Sequence, residues 1–87
     1  MSKIDDMEMI YEPGLELLRT DFKTALEFRR QTLRLTQKKL AARSGVNIRM
    51  IQHYEQGSKD INKVAGITLY KLAQALECKI EDLLEIE

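Results

Sequence analysis

Apolar residues recur along this chain at spacings of three and four rather than two, and that period predicts helices. Phe22, Ala25, Leu26 and Leu33 mark one face of a first helix from about Asp21 to Leu33, with Thr20 or Asp21 able to cap it. Thr36 is a good N-cap for a second helix, Gln37 to Ser44, in which Leu40 and Ala41 point inward. Gly45 follows as a residue able to take positive φ. Asn47 caps a third helix, Ile48 to Gln56, with Ile51 and Tyr54 on its inner face and Gly57 at its end. A fourth runs from about Lys63 to Leu76 with Leu69, Leu72, Ala73 and Leu76 at core spacing, and Gly66 leaves its start open. Ile80 to Glu85 makes a last short helix whose Leu83 and Leu84 close the core. Strand signals are poor: few β-branched runs, no Asn-Gly or Asp-Gly turn and a single proline. The expected fold class is all-α with five helices.

Residues 1–20 read as an N-terminal extension, an arm or a short extra helix, before a domain spanning residues 21–87. Glu12-Pro13-Gly14 is a turn or a helix start, and Ile4, Met7, Met9, Ile10 and Tyr11 suit a frayed arm or a packing segment. Eighty-seven residues make one small domain, which buries only about 60–65% of its unfolded surface. No apolar run approaches the roughly 20 residues of a membrane helix, and the start lacks an apolar signal region, so the expected location is the cytoplasm. Cys78 has no second cysteine to pair with, and one histidine provides no metal set. A disulfide scaffold and a structural zinc site are excluded, and neither a metal nor a cofactor is expected.

The net charge is zero, which at first argues against nucleic acid. Its distribution reverses that reading. From Met1 to Leu18 one base faces five acids, a net of −4. From Val64 to Glu87 two bases face five acids, a net of −3. Between them, from Arg19 to Lys63, eleven bases face four acids, a net of +7. A basic middle between acidic ends suits an anionic partner.

That middle holds two short helices joined by a glycine turn, the plan of a helix-turn-helix whose second helix enters the major groove of double-stranded DNA. Leu40 and Ile51 fill the space between the helices, and Ala41 is small where they cross closely. The exposed positions of the second of these helices hold Ile48, Arg49, Gln52 and His53, a mixed set suited to base edges. The plain alternative is a helical hairpin inside a bundle.

The stretch from Leu35 to Leu84 resembles the Cro/C1-type (XRE) helix-turn-helix domain, a five-helix, lambda-repressor-like fold. Leu35-Thr36-Gln37, Leu40-Ala41, Gly45-Val46, Ile51, Tyr54-Glu55-Gln56-Gly57, Leu69, Leu72-Ala73, Ala75-Leu76 and Ile80-Glu81-Asp82-Leu83-Leu84 carry the likeness, and Leu26 and Arg30 extend it into the first helix. Three positions depart from the pattern. The Gly57–Leu69 connection is longer than usual, Ser44 stands at an often apolar position, and Ile48 replaces a commonly polar base reader. Ile48 favours a thymine methyl over a hydrogen bond.

The resemblance implies roles residue by residue. Gln37 holds a backbone phosphate and braces the recognition helix, where free N–H groups attract phosphate. Arg49 reads a base, with a fork suited to guanine O6 and N7. Gln52 and His53 reach a base or a phosphate, and Asn47, Lys59 and Arg43 are edge phosphate contacts. Arg30 and Glu55 form a structural ion pair tying the first helix to the third. Cys78 is a small buried hydrophobe at the meeting of the last two helices.

No phosphate loop, paired carboxylates or nucleophile–base pair supports an enzyme, so catalytic residues are not expected. The implied function is a small transcriptional regulator, a repressor, working as a homodimer on DNA. The alternative is an antitoxin or interaction module whose acidic ends dock a basic protein such as a toxin. Salt-dependent DNA binding by the isolated chain favours the first; co-purification with a basic partner favours the second.

Overall fold

The structure, a computed structural model, describes residues 17–85. The readings for residues 1–16, including the apolar arm, lie outside the described residues. Among the described residues the regular structure is entirely helical. Four α-helices are present, α1 (Ala25–Thr32), α2 (Gln37–Ser44), α3 (Ile48–Gln56) and α4 (Gly66–Ala75), with 3-10 turns at Arg19–Asp21, Ile61–Lys63 and Ile80–Leu83. No helix among them is long and apolar enough to cross a membrane.

The α2–turn–α3 unit has the predicted limits, because the residues that set them act locally. The Thr36 hydroxyl accepts from Lys39 N at 3.0 Å, and Asn47 Oδ1 accepts from Arg49 N at 2.7 Å. Gly45 and Gly57 close the two helices at φ +75° and +79°, the left-handed conformation that costs other residues a steric penalty.

The first helix starts later than predicted. Its cap is Thr24, whose hydroxyl oxygen accepts from Glu27 N, not Thr20 or Asp21. Phe22 falls outside the helix in extended backbone and meets the Phe28 ring at 5.8 Å. The fourth helix likewise begins at Gly66 rather than Lys63, because Val64 is extended after the 3-10 turn.

The expected fifth helix is a 3-10 turn of four residues, and the count of five is corrected to four α-helices. The reason is a competing bond. Continuing the helix would direct Glu85 N back to the Glu81 carbonyl. Instead Glu85 N donates to Asn62 Oδ1 at 2.8 Å, while Asn62 Nδ2 donates to the Glu85 carbonyl at 2.7 Å. The Glu85 carboxylate also accepts from Ala25 N at the start of α1, a favourable end for negative charge, and from Arg19 Nη2 in the first 3-10 turn.

The core lies where these elements converge. Leu26, Leu40, Ile51, Leu72 and Leu83 are fully buried, one from each of the four helices and one from the last 3-10 turn. Burial of each such side chain is worth roughly 1.5–3 kcal/mol. α2 packs against both α3 and α4, α1 against α3, and the last 3-10 turn against α1 and α4. Leu84 is half-buried, and Cys78 is also half-buried against the core rather than enclosed in it. That packing holds α2 and the inner face of α3 and leaves the outer face of α3 open.

Candidate nucleic-acid interface

Ile51, Tyr54 and Glu55 take the buried side of α3, so Ile48, Arg49, Gln52 and His53 share the other side, one helical turn apart in pairs. Ile48, Arg49 and His53 are exposed, and Gln52 is half-buried. His53 Nδ1 lies 2.9 Å from Ser58 Oγ, so the loop after α3 engages one ring nitrogen.

A buried polar chain supports this face. Arg30 Nε and Nη2 donate to the two Glu55 carboxylate oxygens at 2.7 and 3.0 Å, and Nη1 donates to the Leu35 carbonyl at 2.6 Å. Arg30 and Glu55 are 8% and 4% exposed, so the ion pair expected from the resemblance is a desolvated, two-pronged contact. Glu55 also accepts from Gln37 Nε2 at 3.0 Å, and Gln37 Oε1 accepts from Gln52 Nε2 at 3.5 Å. Gln37 at the first position of α2 thus touches α3 twice. Spacing alone does not reveal the Gln37–Glu55 bond; the excess acceptor capacity of a carboxylate buried beside one arginine is the signal that points to it.

The edge residues are distributed unevenly. Asn47 stands at the cap of α3 and Lys59 in the loop that leaves it, both exposed. Arg43, also exposed, donates from Nη1 to the Ala75 carbonyl at 3.1 Å, so its guanidinium is tied to α4 and is not grouped with Gln37. Electrostatically the segment from Thr36 to Lys59 is one-sided. Lys38, Lys39, Arg43, Arg49 and Lys59 are exposed, whereas its one acid, Glu55, is buried against Arg30. Among the described residues no group of histidine, cysteine and acidic side chains is placed to hold a metal.

An exposed helix of mixed polar and apolar residues, braced from behind and flanked by bases, can enter a groove edged with phosphates. Neither the curated proteins nor the solved structures return a match to the chain. A helix-turn-helix family model matches residues 26–83, two thirds of the sequence, from the first turn of α1 to the end of the last 3-10 turn. The chain belongs to the Cro/C1-type (XRE) helix-turn-helix family of DNA-binding domains.

Proposed function

We propose that the protein is a sequence-specific, double-stranded DNA-binding transcriptional regulator that acts in the cytoplasm as a homodimer on a two-fold symmetric site. In this reading it acts as a repressor, blocking access to the promoter it occupies. The observation that carries this reading is the open face of α3 beside five exposed bases, with the only acid of that segment removed by its partner. Ile48 and Arg49 are the leading base contacts, an apolar group for a thymine methyl and a fork for guanine. Backbone N–H groups at the start of α2 supply phosphate contact, with Gln37, Asn47 and Lys59 at the edges, while Arg43 is held by the Ala75 carbonyl.

Selection of bound sequences from a random duplex pool tests the reading. The expected product is a symmetric site with half-sites about one helical turn apart. Arg49→Ala should then cost about 1–3 kcal/mol on that site and relax one base per half-site. A pool that emerges without enrichment would refute sequence-specific binding.

A further inference from the structure

The outer face of α2 carries a groove that DNA contact leaves partly unexplained. One part of it lies among Thr36, Lys38, Lys39, Ala42 and Arg43, and the next part reaches Val46, Asn47 and Ile48. Lys38 and Ala42 line both parts, so the groove runs along α2 and past the Gly45 turn to the head of α3. The two parts hold about 610 and 600 Å³, within the roughly 300–1,000 Å³ of ligand sites. Ala41, Ala42, Val46 and Ile48 give it an apolar floor, and Lys38, Lys39 and Arg43 give it a basic rim. Arg43 spends one N–H on the Ala75 carbonyl and keeps the others. Among the described residues no acidic side chain lines either part. A phosphate backbone answers the rim but leaves the floor without an apolar partner. The matching occupant carries acidic and apolar side chains together.

We infer that residues 4–12 of this chain dock in the α2 groove and compete there with DNA. Ile4-Asp5-Asp6-Met7-Glu8-Met9-Ile10-Tyr11-Glu12 interleaves five apolar residues with four acids and contains no base. Its acids answer the lysines of the rim, and its apolar side chains cover the floor. Reach is sufficient. Sixteen residues precede Leu17, and an extended chain of that length spans at most about 55 Å. A domain of roughly 70 residues is about 30 Å across, so no point on its surface lies more than about 45 Å away along it. The competition, but not the docking, rests on the proposed reading of α3 as the groove helix. Asn47 and Ile48 line the groove, so its occupant covers a proposed phosphate contact and the proposed thymine contact together. Lys38 and Lys39 cannot hold a carboxylate and a phosphate at once. A duplex must displace the segment, and its apparent affinity falls by the fraction of chains in which the groove is open.

The test uses the full chain with a nitroxide on Ser2→Cys, and with Cys78→Ala to remove the native thiol. Paramagnetic broadening of backbone amides reports where the segment lies, and the unfolding midpoint verifies the fold. Broadening should centre on Lys38, Lys39, Ala42 and Ile48 in the free chain and vanish when the selected duplex is added. A second chain carries Asp5→Asn, Asp6→Asn, Glu8→Gln and Glu12→Gln. It should lose the broadening and bind that duplex about 5- to 30-fold more tightly, with its base preferences unchanged. Broadening centred on the exposed Ile67 and Tyr70 of α4, or spread evenly over the domain, would overturn the docking. So would tighter binding by the neutralised chain without broadening in the groove, because the acids would then act on DNA through space. Broadening passed from a spin-labelled chain to an unlabelled one would place the segment on a second copy and overturn docking within the chain. Broadening that persisted under saturating duplex would overturn the competition. If no duplex were bound at all, the proposed function and the competition would fall, while the free chain would still decide the docking.

Discussion

Truncating Glu55 to alanine strands a guanidinium that is 8% exposed, with only the Leu35 carbonyl left to receive its N–H groups. Removing one partner of a buried pair leaves an uncompensated charge, and the expected loss for Glu55→Ala is about 3–5 kcal/mol. A chemical denaturation curve measures it; a change below about 1 kcal/mol would place Arg30 in contact with water after all. Cys78 gives a second residue-level expectation. Burial pushes its thiol above the ordinary value, Arg29 opposes the shift and Asp82 adds to it. A raised folded-state value means that the neutral thiol is favoured by folding. Its contribution to stability is therefore full below the ordinary thiol range and fades as pH rises through the folded value. The thiolate is the reactive form, so Cys78 should alkylate more slowly than a small free thiol near neutral pH and catch up only in alkali. Faster reaction near neutrality would contradict this.

At the scale of elements, the turn between α2 and α3 depends on one left-handed residue. Gly45 has open space where a Cβ would stand, so Gly45→Ala meets no clash and its cost is backbone strain alone. That cost should be about 1–2 kcal/mol, read from the unfolding midpoint, with Gly45→Asn milder because asparagine tolerates the conformation better. An unchanged midpoint for alanine would mean the turn relaxes out of φ +75°. The same locality explains what could be read in advance. Thr36, Gly45, Asn47 and Gly57 bound their helices through contacts within a few residues, and α2 and α3 lie where the pattern puts them. Other limits depend on partners far along the chain. Thr24 displaces Thr20 and Asp21 as a cap where its hydroxyl reaches the Glu55 carbonyl and the Glu85 carboxylate meets the first N–H of α1. The last helix gives way to a 3-10 turn because Asn62, 23 residues away, takes the Glu85 backbone. Within the site, helical period was enough to place Ile48, Arg49, Gln52 and His53 on one face. The Arg30–Glu55 pair came from family likeness, and the bond from Gln37 to that pair required the packing of α2 on α3.

Along the whole chain, zero net charge conceals an uneven distribution, with a +7 middle between ends of −4 and −3. Net charge governs solubility; its distribution governs which surface meets a polyanion. In the segment from Thr36 to Lys59 the bases are exposed and the acid is buried, so the local field is stronger than a count of charges implies. Bound DNA releases counterions in proportion to the phosphates neutralised, and log affinity falls with log salt by roughly 0.9 per phosphate. Arg49 faces the bases and Arg43 is tied to α4, which leaves Lys38, Lys39 and Lys59 as the exposed bases of that segment placed to neutralise phosphate. About three phosphates per protomer then give a slope of roughly −2.7, and a dimer roughly −5. Between 50 and 200 mM salt a dimer of that slope should lose on the order of 10³ in affinity. The acidic ends repel phosphate, so the slope should not exceed that estimate by recruiting the rest of the surface. A titration of duplex DNA across that salt range measures it directly. A slope near zero would sink the DNA reading, because no evenly charged face of a neutral protein would hold a duplex by this mechanism. A slope of roughly −2.7 in place of roughly −5 would instead show one protomer binding alone, and would count against the symmetric dimer.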